Sequence, residues 1–122
     1  MLSNRYHQAI PLLEKAITQK NDFSHLHLNL AICYRKTGYP NKSIEYFNSA
    51  LAINPKLHGA YYNRSIVYSR LGEYEKSKTD LEQLANSSDP EAELFFIELT
   101  FFYENGFERN STKPFGIVEK IS

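Results

Sequence analysis

Apolar and small residues follow the spacing of amphipathic helices along most of this chain. One stripe between residues 24 and 37 has offsets of three and four, and a matching stripe returns between residues 58 and 71. Strand-like alternation of apolar and polar residues is absent. The pattern therefore predicts an all-α protein, with helices at 5–19, 24–37, 41–53, 58–71, 74–86 and 90–105.

Residues that end or begin helices lie between these segments. Gly38, Gly72 and Gly106 each follow a helix-length stretch, where a left-handed residue ends the helix and glycine adopts that conformation without strain. Pro40 is placed to start the next helix, where its missing N–H costs nothing. The run Ser88–Glu91 combines a cap, a proline and an acidic residue, a strong signal for a helix start.

Matched residues recur at a spacing of 34. Tyr34 returns as Tyr68 and Asn29 returns as Asn63, while the glycines at 38, 72 and 106 share the same spacing. A period of this length marks a supersecondary unit that cannot bury its apolar face alone and must stack on its neighbours. Such arrays display an extended surface, which indicates a class of function without naming a partner.

The repeated residues resemble the tetratricopeptide repeat, a helix–turn–helix unit of this period. The clearest matches are the segment from Tyr61 to Tyr74 and the closing Ala-Leu-Ala-Ile-Asn-Pro at residues 50–55. The resemblance implies a single array across the chain: a right-handed superhelical solenoid of antiparallel helix pairs, with about three and a half repeats. Its expected parts are a second helix of a partial repeat at 5–19, full repeats at 24–57 and 58–89, a first helix of a partial repeat at 90–106, and a tail or short final helix at 107–122.

Small and charged residues in the buried stripes carry further expectations. Ala31 and Ser65 are small enough to let the partner helix of each repeat approach closely. Arg64 places a charge where Leu30 stands one repeat earlier, so we expect Asp80 on the following helix to pair with it. Such a pair more often contributes to packing than to chemistry.

A second stripe on each first helix is the candidate binding surface. In the family that this chain resembles, the stripe lines a concave groove, so the resemblance implies a protein–protein interaction module that binds a peptide or helix of a partner protein. Apolar members could hold side chains, asparagines could satisfy a bound backbone, and cations could favour an acidic residue at one edge. The predicted groove residues are Leu28, Asn29, Ile32, Arg35, Lys36, Tyr62, Asn63, Ile66, Arg70, Phe96 and Ile97.

Composition narrows the possible partners. Fourteen basic and fourteen acidic residues cancel, whereas a broad phosphate-binding surface would normally be basic, so nucleic acid is not expected. No stretch approaches the length of a membrane span and no signal peptide is evident, so we expect a cytoplasmic protein that does not enter a membrane. The single cysteine, Cys33, is expected to be a buried thiol.

Catalytic and metal-binding patterns are missing from the sequence. His25 and His27 are two residues apart and point to different sides of a helix, so they would share a metal only if the segment were extended. His7 and His58 have no carboxylate or cysteine at ligand spacing. Without a phosphate loop or a nucleophile motif, we expect no enzyme activity, no cofactor and no metal.

A structural role is the alternative to partner binding. The helix at 5–19 lacks a first helix to cover its flank, and aromatic residues crowd the segment Phe95–Phe102. A terminal repeat needs a polar outer face to remain soluble. Exposed ends of this kind predict a possible homo-oligomer, in which the chain is a self-assembling part of a larger repeat protein.

Overall fold

The computed structural model describes residues 2–20 and 22–103. These residues form helices and connecting turns and contain no strand, which confirms the all-α prediction. Residues 107–122, for which a tail or a short helix is predicted, lie outside the described part, as do positions 104 and 105. The helices are α1 (Leu2–Gln19), α2 (Ser24–Lys36), α3 (Pro40–Ile53), α4 (His58–Arg70), α5 (Tyr74–Ala85) and α6 (Pro90–Phe102).

Two of the predicted helix-ending glycines have the left-handed conformation that the turns require. Gly38 has φ of 90° and Gly72 has φ of 82°. After Gly38, the backbone N–H of Tyr39 donates to the carbonyl of Tyr34 at the end of α2. After Gly72, the N–H of Glu73 donates in the same way to the carbonyl of Tyr68 at 2.9 Å. These two predictions are confirmed, whereas Gly106 lies outside the described residues.

Proline and aspartate start the helices as predicted. Pro40 and Pro90 occupy the first turns of α3 and α6. The Asp89 carboxylate accepts a hydrogen bond from the backbone N–H of Glu91 at 2.9 Å, and thereby satisfies one of the N–H groups that a helix start leaves without a partner.

Neighbouring helices pack in pairs and bury two clusters of apolar side chains. The strongest contacts join α2 to α3 and α4 to α5, while α1 packs on α2 and α6 packs on both α4 and α5. Short turns between consecutive helices make each pair antiparallel. The first core cluster joins α2, α3 and α4 and contains Leu28, Ala31, Phe47, Ala50, Leu51, Leu57, Ala60 and Val67. The second core cluster joins α4, α5 and α6 and contains Ile66, Leu81, Leu84, Ala92, Phe96, Leu99 and Tyr103.

The predicted Arg64–Asp80 pair is present. The guanidinium of Arg64 on α4 donates two hydrogen bonds to the buried carboxylate of Asp80 on α5, at 2.9 Å and 2.6 Å. A further bond at 2.6 Å goes to the side-chain oxygen of Asn48 on α3. The pair therefore ties three helices together.

A buried network of hydroxyl groups joins α4, α5 and α6, and the sequence pattern gave no sign of it. The Tyr103 hydroxyl lies 2.6 Å from that of Ser65, 2.7 Å from that of Ser77 and 3.0 Å from that of Ser69. All four side chains are almost fully buried. Ser65 thus provides a small surface for close packing, as predicted, and also a polar contact that holds the end of α6.

Candidate functional site

The candidate binding surface begins with the predicted stripe on α2. Asn29 and Lys36 are exposed, while Ile32 and Arg35 are half-buried. Leu28 is almost completely buried in the first core cluster. On this helix the stripe therefore offers one amide, two cations and part of an isoleucine side chain to a ligand. Leu28 instead packs in the first core cluster.

On α4 the predicted stripe is more buried. Tyr62 is half-buried and Arg70 is exposed, but Asn63 and Ile66 are buried. The Asn63 side-chain amide donates to the backbone carbonyl of Gly59 on its own helix at 2.8 Å. The two asparagines that match in the sequence therefore differ in the structure, because the Asn63 amide nitrogen already has a partner within α4, whereas Asn29 faces solvent.

The 34-residue register continues on the buried face of α6. Helices α2 and α4 begin 34 residues apart, at Ser24 and His58, whereas α6 begins at Pro90, 32 residues after α4. Because α6 only gains residues at its start, its later positions keep the register. Accordingly, Ala92 and Leu99, which follow the buried His58 and Ser65 by 34 residues, are fully buried.

The two predicted stripe residues of α6 differ in burial, as Leu28 and Asn29 do on α2. Phe96 is buried in the second core cluster and Ile97 is half exposed. The ring of Phe95 lies 4.9 Å from the ring of Tyr62, and burial together with the nearby Glu98 carboxylate raises the pKa of Tyr62. Phe95 and Glu98 thus lie close to the stripe on α4, although the predicted stripe did not include them. The stripe's role in binding remains a prediction.

Three cations gather at the ends of α2 and α4. Burial and the nearby charge of Arg70 lower the pKa of Arg35, and the charge of Arg35 lowers the pKa of Lys36. The buried Nε of Arg35 has no hydrogen-bond partner among the described residues. The three cations make this end of the surface positive.

An open groove of about 550 Å³ lies between α1 and α2, next to the stripe. We call it the α1–α2 groove. Its walls are mostly apolar, and a single charged side chain, that of Arg5, is among the described residues that line it. The lining residues are Arg5, Tyr6, Ala9, Leu12, Leu13, Asn29, Ile32 and Cys33.

Chemistry outside this surface is limited in the described residues. His58 Nδ1 lies 3.4 Å from Oε1 of Glu91, a carboxylate 33 residues away in the sequence and therefore not at the ligand spacing considered above. The sequence pattern missed this pair because the two residues come together through the packing of α4 and α6. No group of three or more metal-ligating side chains occurs in the described part of the chain. Cys33 is buried as predicted, and burial raises the pKa of its thiol.

No helix within the described ranges is both long and apolar enough to cross a bilayer.

Sequence comparisons identify the repeat and several relatives. Two profiles described as tetratricopeptide repeat match residues 24–57 and 46–79. The chain is similar to the photosystem I assembly protein Ycf3 of Cyanophora paradoxa, with 28% identity over 99 residues that cover 81% of this chain and 50% of that protein. The Ycf3 protein of Prochlorococcus marinus is 32% identical over 90 residues, or 74% of this chain and 50% of that protein.

A different kind of relative matches a shorter stretch. The peptidyl-prolyl cis-trans isomerase PASTICCINO1 of Arabidopsis thaliana is 37% identical over 59 residues, which are 48% of this chain and 9% of that protein. The chain spans about half the length of the photosystem assembly proteins that it matches.

Proposed function

Because the chain belongs to the tetratricopeptide repeat family, we propose that it is a non-catalytic interaction module whose first-helix stripe binds a peptide or helix of a partner protein. The observation that carries the proposal is the group of Arg35, Lys36 and Arg70 at the end of the stripe, beside the half-buried Ile32. Cations next to an apolar side chain suit a ligand that brings both an acidic group and an apolar group.

The relatives favour a role in the assembly of other proteins. The photosystem relatives are named assembly proteins, and that role can be served by a surface that holds a partner without transforming it. The similarity to the isomerase covers 9% of that protein, so we do not extend isomerase activity to this chain.

A matched pair of variants tests the stripe. Lys36→Gln combined with Arg70→Gln removes two exposed cations from the stripe, whereas Lys42→Gln combined with Lys78→Gln removes two exposed cations from the second helices α3 and α5. Cross-linking and mass spectrometry on the full chain would identify bound proteins. We expect the stripe variant to lose them and the control variant to keep them. Equal capture by both variants would contradict the proposal.

Self-assembly is the second candidate function, because apolar side chains on α6 face solvent. Leu94 is 65% exposed and Ile97 is 50% exposed. Apolar residues that cluster on a surface mark interaction sites more often than isolated ones do. Sedimentation equilibrium on the full chain and on the Leu94→Lys/Ile97→Lys variant tests this role, which requires that the full chain associates and the variant does not.

A further inference from the structure

The α1–α2 groove corresponds to a surface that is covered by a helix one repeat later. Phe47 and Ala50 of α3 are both 0% exposed, because α2 packs over them. Their counterparts one period earlier, Leu13 and Ala16 of α1, are only half-buried. The internal repeat therefore shows what fits this face of α1: a helix in the place that α2 takes on α3.

The dimensions of the groove agree with a short helix. Its α1 wall runs from Arg5 to Leu13, and eight residue steps along a helix span about 12 Å, or roughly two turns. Leu12 is 70% exposed at this wall, while Ile32 and Cys33 supply apolar surface from α2. A helix with an apolar stripe would bury these side chains as α2 buries those of α3.

Charge sets the preferred direction of that helix. Helices α1 and α2 are antiparallel neighbours, so the start of α1, with Arg5, lies at the same end as Arg35 and Lys36 near the end of α2. Tyr6, which lines the groove, is within electrostatic range of Arg35. A helix that runs parallel to α2 would bring its C-terminal carbonyl groups, which carry a partial negative charge, to this positive end.

We propose that the α1–α2 groove binds an amphipathic helix of a partner protein, parallel to α2, with carboxylates in its last turn that face Arg5 and Arg35. The inference rests on the proposed function: the groove shares Asn29 and Ile32 with the stripe and extends the binding surface onto α1, and the inference adds the chemistry of the segment bound there. An acidic helix is favoured because Arg5 is the one charged side chain among the described residues of the groove wall.

Two helical peptides serve as probes. Both are lactam-bridged peptides of about 16 residues, long enough to exceed the groove, with leucines at offsets of three and four. One probe ends in a turn with two glutamates, and the other has glutamines there. By isothermal titration of the full chain, we expect the glutamate probe to bind about fivefold or more tightly than the glutamine probe, and Arg5→Gln to remove that difference.

Two leucine variants locate the binding site. Leu12→Glu lies in the groove, and Leu94→Glu lies on α6; both leucines are largely exposed, so both variants should retain the helical circular dichroism of the parent. We expect Leu12→Glu to weaken binding of the glutamate probe by about tenfold or more, and Leu94→Glu to leave its affinity unchanged. Equal effects of the two variants, or no binding of either probe, would overturn the inference.

Two further results separate the alternatives. If the parent chain forms oligomers that Leu12→Glu abolishes, the groove binds a second copy of this chain and the partner-helix inference fails. Loss of cellular partners from the stripe variant, combined with no probe binding to the groove, would leave the proposed function supported and the inference overturned. Equal capture by the stripe and control variants would count against the proposed function, whatever the probes do.

Discussion

Arg64 of α4 and Asp80 of α5 form an ion pair with two hydrogen bonds between the two helices. The Asp80 side chain is 2% exposed and that of Arg64 is 18% exposed. One repeat earlier the places of these residues are taken by Leu30 and Tyr46, and the α2–α3 pair packs without an ion pair there. The same helix pairing thus forms with or without an ion pair at this place. The contribution of the ion pair to the free energy of unfolding can therefore be measured by substitution.

Removal of one partner of this pair should destabilise the protein strongly. In Arg64→Leu the Asp80 carboxylate stays buried without its cation, and we expect the free energy of unfolding to fall by about 3 kcal/mol. Arg64→Leu combined with Asp80→Leu should recover most of that loss. Urea titrations followed by circular dichroism measure both. Lys76→Ala, which breaks an exposed pair with Glu73, is the control and should change stability little. A double variant as unstable as the single one would contradict this account.

Alanine substitutions at two glycines should have opposite effects. Gly72 has φ of 82°, a backbone conformation that is strained for any residue with a side chain, although no atom lies within 4 Å of the position that its Cβ would take. We therefore expect Gly72→Ala to lower the free energy of unfolding by about 1 kcal/mol. Gly59 lies inside α4, where a Cβ would meet Phe95 at an ordinary 3.7 Å. Gly59→Ala should therefore stabilise α4, by about 0.5 kcal/mol or more. Thermal unfolding of both variants shows whether each substitution stabilises or destabilises the protein. A loss of stability in both would show that Gly59 has a packing role.

The Tyr103 hydroxyl should matter for stability. In Tyr103→Phe the serines of the buried network lose a shared partner, and we expect a loss of about 1–3 kcal/mol in the free energy of unfolding. Tyr39→Phe removes a hydroxyl from a side chain that is 52% exposed and serves as the control. Equal stability of the two variants would mean that water replaces the lost contact at no cost.

Stability should also fall at high pH because of the same tyrosine. Burial raises the pKa of Tyr103 above its ordinary value of 10.0, and the serine hydrogen bonds oppose this in part. Since the folded pKa lies above the unfolded one, the contribution of this group is fully present below pH 10.0 and is lost as pH rises through the folded pKa. We expect Tyr103→Phe to reduce the slope of unfolding free energy against pH, by at most about 1.4 kcal/mol per pH unit. Parallel slopes for parent and variant would contradict this.

The Cys33 thiol should react slowly in the folded chain. It is 5% exposed, and burial raises its pKa, so less thiolate forms and reagents have little access to it. With Ellman's reagent near pH 8 we expect a rate about tenfold or more below that of the same chain in urea. Because Cys33 also lines the α1–α2 groove, a bound helix should slow the reaction further. A fast reaction in the native chain would show that the α1–α2 contact opens readily.

Helix positions and pairing could be predicted from the chain because their signals are local. Gly38, Gly72 and Pro90 act within one turn of their own positions, and a stripe with helical spacing extends over a single helix. The Arg64–Asp80 pair was also predictable, since two regular repeats place those residues opposite each other. These features depend on short stretches and on the repeat period.

The environment of the candidate site could be predicted only in part. Asn29 and Lys36 face solvent on α2. In contrast, Asn63, which matches Asn29 in the sequence, is buried and its side-chain amide donates to the carbonyl of Gly59. Whether a stripe residue faces a ligand or a neighbouring helix depends on how closely the next helix packs. A single sequence does not contain that distance.

Long-range packing set the arrangement at the end of the described chain. The packing of α6 on α4 and α5 places Phe95 beside Tyr62, and it brings the Tyr103 hydroxyl into contact with three serines from α4 and α5. The 34-residue spacing relates equivalent positions of successive repeats, so by itself it could not locate contacts between different helices. The repeat period and the helix ends follow from local conformational preferences, whereas the face that α6 buries follows from which side chains fill the space above α4 and α5.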